Sequence, residues 1–167
     1  MTGQIVELDE ATLGQLIDGE LPWGDVHHVQ SSYKDPKRFD TYVKVLQSRV
    51  EWDDPIVLPL GPYLSIVKNK DGIYAVKCIC GHEFGDYKDN WKVSALINVR
   101  DSEESIAEIW PGPRGPDPEK NEIREFFCPG CSRQLEVDAV PPGYPILANF
   151  TPNLDAFYRD WLGRELP

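Results

Sequence analysis

Four cysteines carry the strongest chemical signal in this chain, and they arrive as two close pairs. The first pair lies in Cys78-Ile79-Cys80-Gly81-His82 and the second in Cys128-Pro129-Gly130-Cys131. Four thiolates can close a tetrahedron around Zn2+, and a tight turn presents two sulfurs to one ion. Gly81 permits a backbone reversal after the first pair, while Pro129 and Gly130 shape the second turn. The set Cys78, Cys80, Cys128 and Cys131 is therefore expected to hold one zinc ion, as in a zinc ribbon. The single residue between Cys78 and Cys80 departs from the commonest ribbon spacing. That leaves His82 either as a replacement for one cysteine or as a residue just outside the ligand shell. A redox dithiol at Cys128 and Cys131 is the sharper rival. Two disulfides fit poorly, because a Cys-x-Cys bridge is strained and a reducing compartment opposes it.

The chemistry of such a site is closed. Catalytic zinc keeps an open position for water, whereas four thiolates fill the shell and give the site a formal double negative charge. The ion is thus expected to be structural. Nothing else in the chain assembles a complete active site. There is no G-x-S-x-G, no phosphate-binding glycine loop with a following lysine, and no H-E-x-x-H. Adjacent His27 and His28 point apart in an extended chain. The acid clusters Glu7–Glu10 and Asp101–Glu104 suit solvated helix starts better than paired catalytic carboxylates.

The elements that must position the cysteines follow from periodicity. A short helix is expected over 9–19, with Leu13, Leu16 and Ile17 on one face and Gly19 as its stop. Residues 20–34, with Pro22 and Trp23, read as irregular. A second helix is expected from Asp35 as cap and Pro36 as first residue, with Phe39, Tyr42, Val43, Leu46 and Val50 at helical spacing. Strands follow at Tyr63–Val67 and Ile73–Lys77, flanking the hairpin signal Asn69-Lys70-Asp71-Gly72. Val93–Val99, Ile123–Phe127 and Gln134–Val137 are further strands. Asp101–Trp110 suggests a single helical turn, and the proline-rich run at 111–118 must be a loop. A last helix is capped by Thr151, starts at Pro152 and closes at Gly163. Its apolar face carries Leu154, Phe157, Tyr158, Trp161 and Leu162.

These elements imply an α+β protein, a small antiparallel zinc-ribbon-like sheet with helical arms at both termini. The expected divisions are a helical arm over 1–55, a zinc-binding β domain over 56–140 with its proline-rich loop at 111–122, and an extended segment with the final helix over 141–167. The 167 residues suffice to bury a core. No apolar run approaches the roughly 18 residues of a membrane span. Met1–Glu7 shows no basic-then-apolar leader, so a cytoplasmic protein is expected. With 28 acids against 17 bases, a net charge of -11 argues against nucleic acid and anionic membranes as partners. Fifteen prolines and five tryptophans form apolar clusters such as Leu58-Pro59-Leu60-Gly61-Pro62 and Val140–Pro145, read as extended connections that must lie on this domain or on another subunit.

Three stretches also resemble a known family. Cys78-Ile79-Cys80-Gly81-His82-Glu83-Phe84-Gly85-Asp86-Tyr87-Lys88-Asp89-Asn90-Trp91-Lys92 is similar to the signature of the acetone carboxylase gamma subunit. Arg124–Cys131, followed by Leu135-Glu136-Val137, and the closing Phe157–Leu162 fit as well. The resemblance covers most of the chain and is weakest over the first twenty residues and the 111–122 loop. It implies a small, zinc-bearing, non-catalytic subunit of a cytoplasmic ATP-dependent ligase. Its partners would be large alpha and beta subunits, in a heterohexamer with two copies of each. That complex converts acetone, bicarbonate and ATP to acetoacetate, AMP and phosphate, with the ATP and manganese sites in the large subunits. Alternatives are an acetophenone-type ketone carboxylase, a free-standing zinc-ribbon interaction module, and a stand-alone thiol redox or zinc hydrolase enzyme. The final helix is expected to anchor in a partner groove rather than on the chain's own sheet.

Overall fold

The computed structural model describes residues 5–167, so the first four residues of the stretch searched for a leader lie outside the described ones. The chain divides into two units, one ending at Ile56 and one spanning Val57–Pro167.

In the first unit, β1 (Ile5–Val6) pairs in parallel with β2 (Tyr33–Lys34). The expected first helix is present as α1 (Glu10–Asp18). Asp9 caps it by accepting the Thr12 N–H at 2.7 Å, and Gly19 ends it in the left-handed region at φ 73°. Leu13 is buried, whereas Ile17 is exposed. The stretch expected to be irregular contains α2 (Trp23–Ser31) instead. No residue of α2 is buried, so its sequence carries no apolar period to detect. His27 and His28 are therefore helical neighbours, which still do not face each other.

The next helix, α3 (Arg38–Gln47), starts later than expected. Asp35 does not cap it. Its carboxylate accepts the Lys37 N–H at 2.9 Å, which forms the turn before the helix and places Pro36 in that turn. Val45, absent from the expected apolar face, is its buried residue and packs with Leu8 and Leu13. Arg49 clamps both oxygens of Asp18, at 2.7 and 2.8 Å, and so ties the end of α3 back to α1.

The strand β3 (Ile56–Pro59) straddles the division and opens an antiparallel sheet of order β3-β4-β5-β6, with β4 at Leu64–Lys68, β5 at Tyr74–Cys78 and β6 at Glu83–Asp86. β4 and β5 form the expected hairpin. Asn69 Oδ1 accepts from the N–H groups of Asp71 and Ile73, and Gly72 takes φ 79°. β3 was expected only as an extended connection. Its edge position tolerates Pro59, and Ile56 and Val57 are buried. β6 was not anticipated, because Gly85 interrupts its strand propensity.

A second antiparallel sheet has the order β7-β8-β9, comprising Leu96–Arg100, Glu122–Phe127 and Gln134–Val140. β7 starts later than the expected Val93, because Asn90 caps a 3-10 turn over Trp91–Ser94. Between β7 and β8, α4 (Glu103–Ala107) is held by a Ser102–Ser105 capping box. The chain closes with α5 (Leu154–Ala156), capped by Asn153 rather than Thr151, and a π-helical turn over Phe157–Trp161. There the Leu162 N–H reaches back five residues to the Phe157 carbonyl. The wider turn breaks the single apolar face that was expected. Leu154 and Tyr158 are buried, while Trp161 remains 85% exposed. The Tyr158 hydroxyl donates to the Val57 carbonyl at 2.8 Å.

The result is an α+β protein whose helices and antiparallel strands agree with the class expected from periodicity. Apart from the β1–β2 pair, the strands are divided between two sheets, and each of these contributes one cysteine turn.

Candidate metal centre

Each cysteine pair occupies a hairpin turn. Cys78 ends β5 and Cys80 follows in the turn to β6. The Cys78 N–H donates to the His82 carbonyl and the Gly81 N–H to the Cys78 carbonyl, both at 2.8 Å. Gly81 takes φ 93°, which L residues rarely adopt. The second turn repeats the device between β8 and β9. There the Cys128 N–H donates to the Arg133 carbonyl at 2.9 Å and the Ser132 N–H to the Cys128 carbonyl at 2.8 Å. Ser132 adopts a left-handed φ of 56°.

The two turns meet at their sulfurs. The Sγ atoms of Cys78, Cys80, Cys128 and Cys131 all lie within 4.8 Å of one another. Cys78 and Cys131 are 3.9 Å apart, and Cys80 and Cys128 are 3.6 Å apart. A tetrahedral zinc at about 2.3 Å from each sulfur sets sulfur–sulfur edges of about 3.8 Å. The cage therefore fits such an ion, and all four cysteines are free thiols. His82 is not in this group. Its ring packs edge-on against Phe84 at 4.8 Å between centroids.

The close approach of the turns depends on Gly130. A Cβ there would come within 2.9 Å of the His82 Cβ and 3.3 Å of the Cys80 Sγ. Below the cage lies an apolar base, where Cys78 and Cys128 pack with Leu64, Val76 and Phe84. Cys80 and Cys131 face outward. Burial pushes the Cys78 thiol far up and raises that of Cys128 as well. For Cys80 burial also works upward, but the His82 backbone N–H and the neighbouring thiols outweigh it and lower its pKa. Without a cation, the two inner sulfurs hold their protons. An ion entering the cage must displace them.

The family model of the acetone carboxylase gamma subunit matches residues 50–162, a span that contains both cysteine turns and their two sheets. The chain belongs to that family. The acetone carboxylase gamma subunit of Xanthobacter autotrophicus is 46% identical over 153 residues, covering 91% of each chain. The acetophenone carboxylase beta subunit of Aromatoleum aromaticum is 30% identical over 96 residues, which is 56% of this chain and 73% of that one. The gamma-subunit family and its relatives are thus subunits of ketone carboxylases.

A second polar centre in this acetone carboxylase gamma family member had no assigned role in the sequence. Lys92, the last residue of the signature string, is fully buried. Its Nζ donates to both oxygens of Asp138 at 2.9 Å and to Asn149 Oδ1 at 2.7 Å, with Glu136 at 3.3 Å. It also lies 5.0 Å from the centroid of Phe126. Strand register puts Glu136 opposite Phe126 and Asp138 opposite Arg124, so both acids project to one face of β9. Their spacing of two was the available signal, but nothing in the chain order pointed from it to Lys92. Among the described residues, no helix is long and apolar enough to cross a membrane.

Proposed function

We propose that this chain is the small subunit of a cytoplasmic, ATP-dependent acetone carboxylase, and that Cys78, Cys80, Cys128 and Cys131 hold one structural zinc ion in it. The observation that carries this reading is the 46% identity over 91% of both chains to a protein named as that subunit. The closed shape of the cage supports the structural role. Four sulfurs surround the ion, so no position remains for a substrate or water, and a site of net charge −2 polarises a carbonyl poorly. What zinc supplies when bound is a cross-link between the β5–β6 and β8–β9 turns.

On this reading the chain is not catalytic. The carboxylation of acetone with bicarbonate and ATP, giving acetoacetate, AMP and phosphate, takes place in large alpha and beta partners that hold ATP and manganese. The assembly is a heterohexamer with two copies of each chain. An acetophenone-type carboxylase is the second reading, favoured by the relative from Aromatoleum aromaticum, though that match covers only 56% of this chain.

The test is purification of the chain from its own host. Two large chains should accompany it in equal amounts, with about one zinc per small chain. The complex should consume ATP when acetone and bicarbonate are present, and the isolated small chain should not. His82→Ala should retain the zinc. A chain that purifies alone without metal, or that turns over ATP by itself with a ketone, ends this reading.

A further inference from the structure

We propose that the groove between α4 and the proline-rich loop at 111–118 is the docking site for an arginine-bearing segment of a partner subunit. This deepens the subunit reading and rests on it.

The groove offers about 400 Å3 of open volume. Its floor is Ile106, which is buried, and one wall is Trp110, which remains 56% exposed. Pro113 and Pro116 also line it, together with Glu103 and Asp117. The proline lining is rigid, because each ring fixes its own φ. An occupant therefore loses less freedom of the receiving loop on binding than a flexible wall would cost.

Charge selects the occupant. Residues 101–122 hold seven acids and two bases, a net charge of -5 out of -11 for the whole chain. Lys120 is engaged by Asp117 at 2.8 Å, and Arg100 from β7 engages Glu108. An exposed indole, carboxylates and a buried aliphatic side chain in one lining match a guanidinium. The planar cation stacks on the ring, its N–H groups donate to the carboxylate, and its methylene stem covers the floor. Lysine fits less well, since its point charge neither stacks nor forks. An apolar peptide without a cation would desolvate Glu103 with no return.

The experiment uses the assembled complex. A photo-crosslinking amino acid is placed at Pro113, which is exposed, and the crosslinked peptides are sequenced. Affinity of the small chain for the large subunits is measured in parallel at low and high salt for the wild type, Trp110→Ala and Glu103→Gln. The expected crosslink joins Pro113's position to a large-subunit peptide containing arginine. Trp110→Ala should weaken assembly by about tenfold. Glu103→Gln should weaken it a few-fold and flatten its salt dependence. Both variants should keep the metal content and circular dichroism of the wild type. A crosslink to a peptide without arginine, to a second copy of this chain, or to nothing overturns the proposal, as do unchanged affinities in both variants. In those cases the wild-type complex still forms and the subunit reading stands. Failure of the wild-type chain to join any large subunit overturns both.

Discussion

The cysteine cage and the Lys92 cluster are both polar centres built from groups far apart in the chain, and they solve the same problem in opposite ways. The cage gathers four groups of one kind. Its inner sulfurs are neutral and protonated when no cation is present, so within the cage only thiol contacts and apolar packing join the two turns. The Lys92 cluster brings its own cation into contact with Asp138, Glu136 and Asn149. The first centre can be emptied from outside and the second cannot. Stability that depends on the environment is thus separated from stability that the chain always carries.

The strongest way to break the comparison is to remove a sulfur. Structural zinc in small cages is worth about 10–16 kcal/mol at neutral pH, and whole domains are stable by about 5–15 kcal/mol. Cys128→Ser should therefore lose both the metal and the fold of residues 57–167. Metal analysis with near-UV circular dichroism checks this, and a folded, metal-free variant would show that the cage is dispensable.

Lys92→Met tests the other centre. It leaves Asp138 and Glu136 without their cation, and removing one partner of a buried pair costs about 3–5 kcal/mol. The low end applies, because the two acids keep 20% and 26% of their side chains exposed. Urea unfolding should register that loss at unchanged zinc content. Loss of zinc in this variant would merge the two centres into one.

Gly130→Ala asks how tightly the two turns must approach. The added methyl meets the His82 Cβ at 2.9 Å, and overpacking of this kind costs about 1–3 kcal/mol. Chelator competition should show zinc affinity reduced by about tenfold. An unchanged affinity would mean that the turns part without cost.

Glu125 gives the smallest effect and the pH dependence. Burial opposes its charge, but Asn98, Arg100 and Gln134 donate to it and hold its carboxyl below the usual range. A lowered folded pKa means that its contribution is present above the unfolded value of about 4.3. The contribution disappears as pH falls through the lower folded value. Glu125→Gln should be less stable than the wild type near neutrality, and the two should converge in acid. Metal release, followed separately, should occur at the same pH in both.

The cage was legible because its ligands are of one rare type and lie close in sequence, so spacing alone pointed to one ion. The hairpin at Asn69–Gly72 and the helix ended by Gly19 were legible for a related reason, since each is specified by residues that touch locally. Three features were not. α2 buries nothing and leaves no period. The shift of β7 depends on a single side chain, that of Asn90, which turns the chain once more before the strand begins. The Lys92 cluster joins residues 46 and 57 positions apart, of types common on any surface. Alternation along β9 sets Glu136 and Asp138 on one face, and the tertiary fold alone brings Lys92 and Asn149 to them.

The bond from the Tyr158 hydroxyl to the Val57 carbonyl spans 101 residues and bears on the order of events during folding. A cation held by the four cysteines would pin the β5–β6 and β8–β9 turns together within the stretch that separates Val57 from Tyr158. With those turns joined, the loop that remains to be closed is shorter, and its entropy cost falls accordingly. An ion bound there would therefore set a sequence as well as a cross-link, joining the middle of the unit so that its ends meet across a shorter loop.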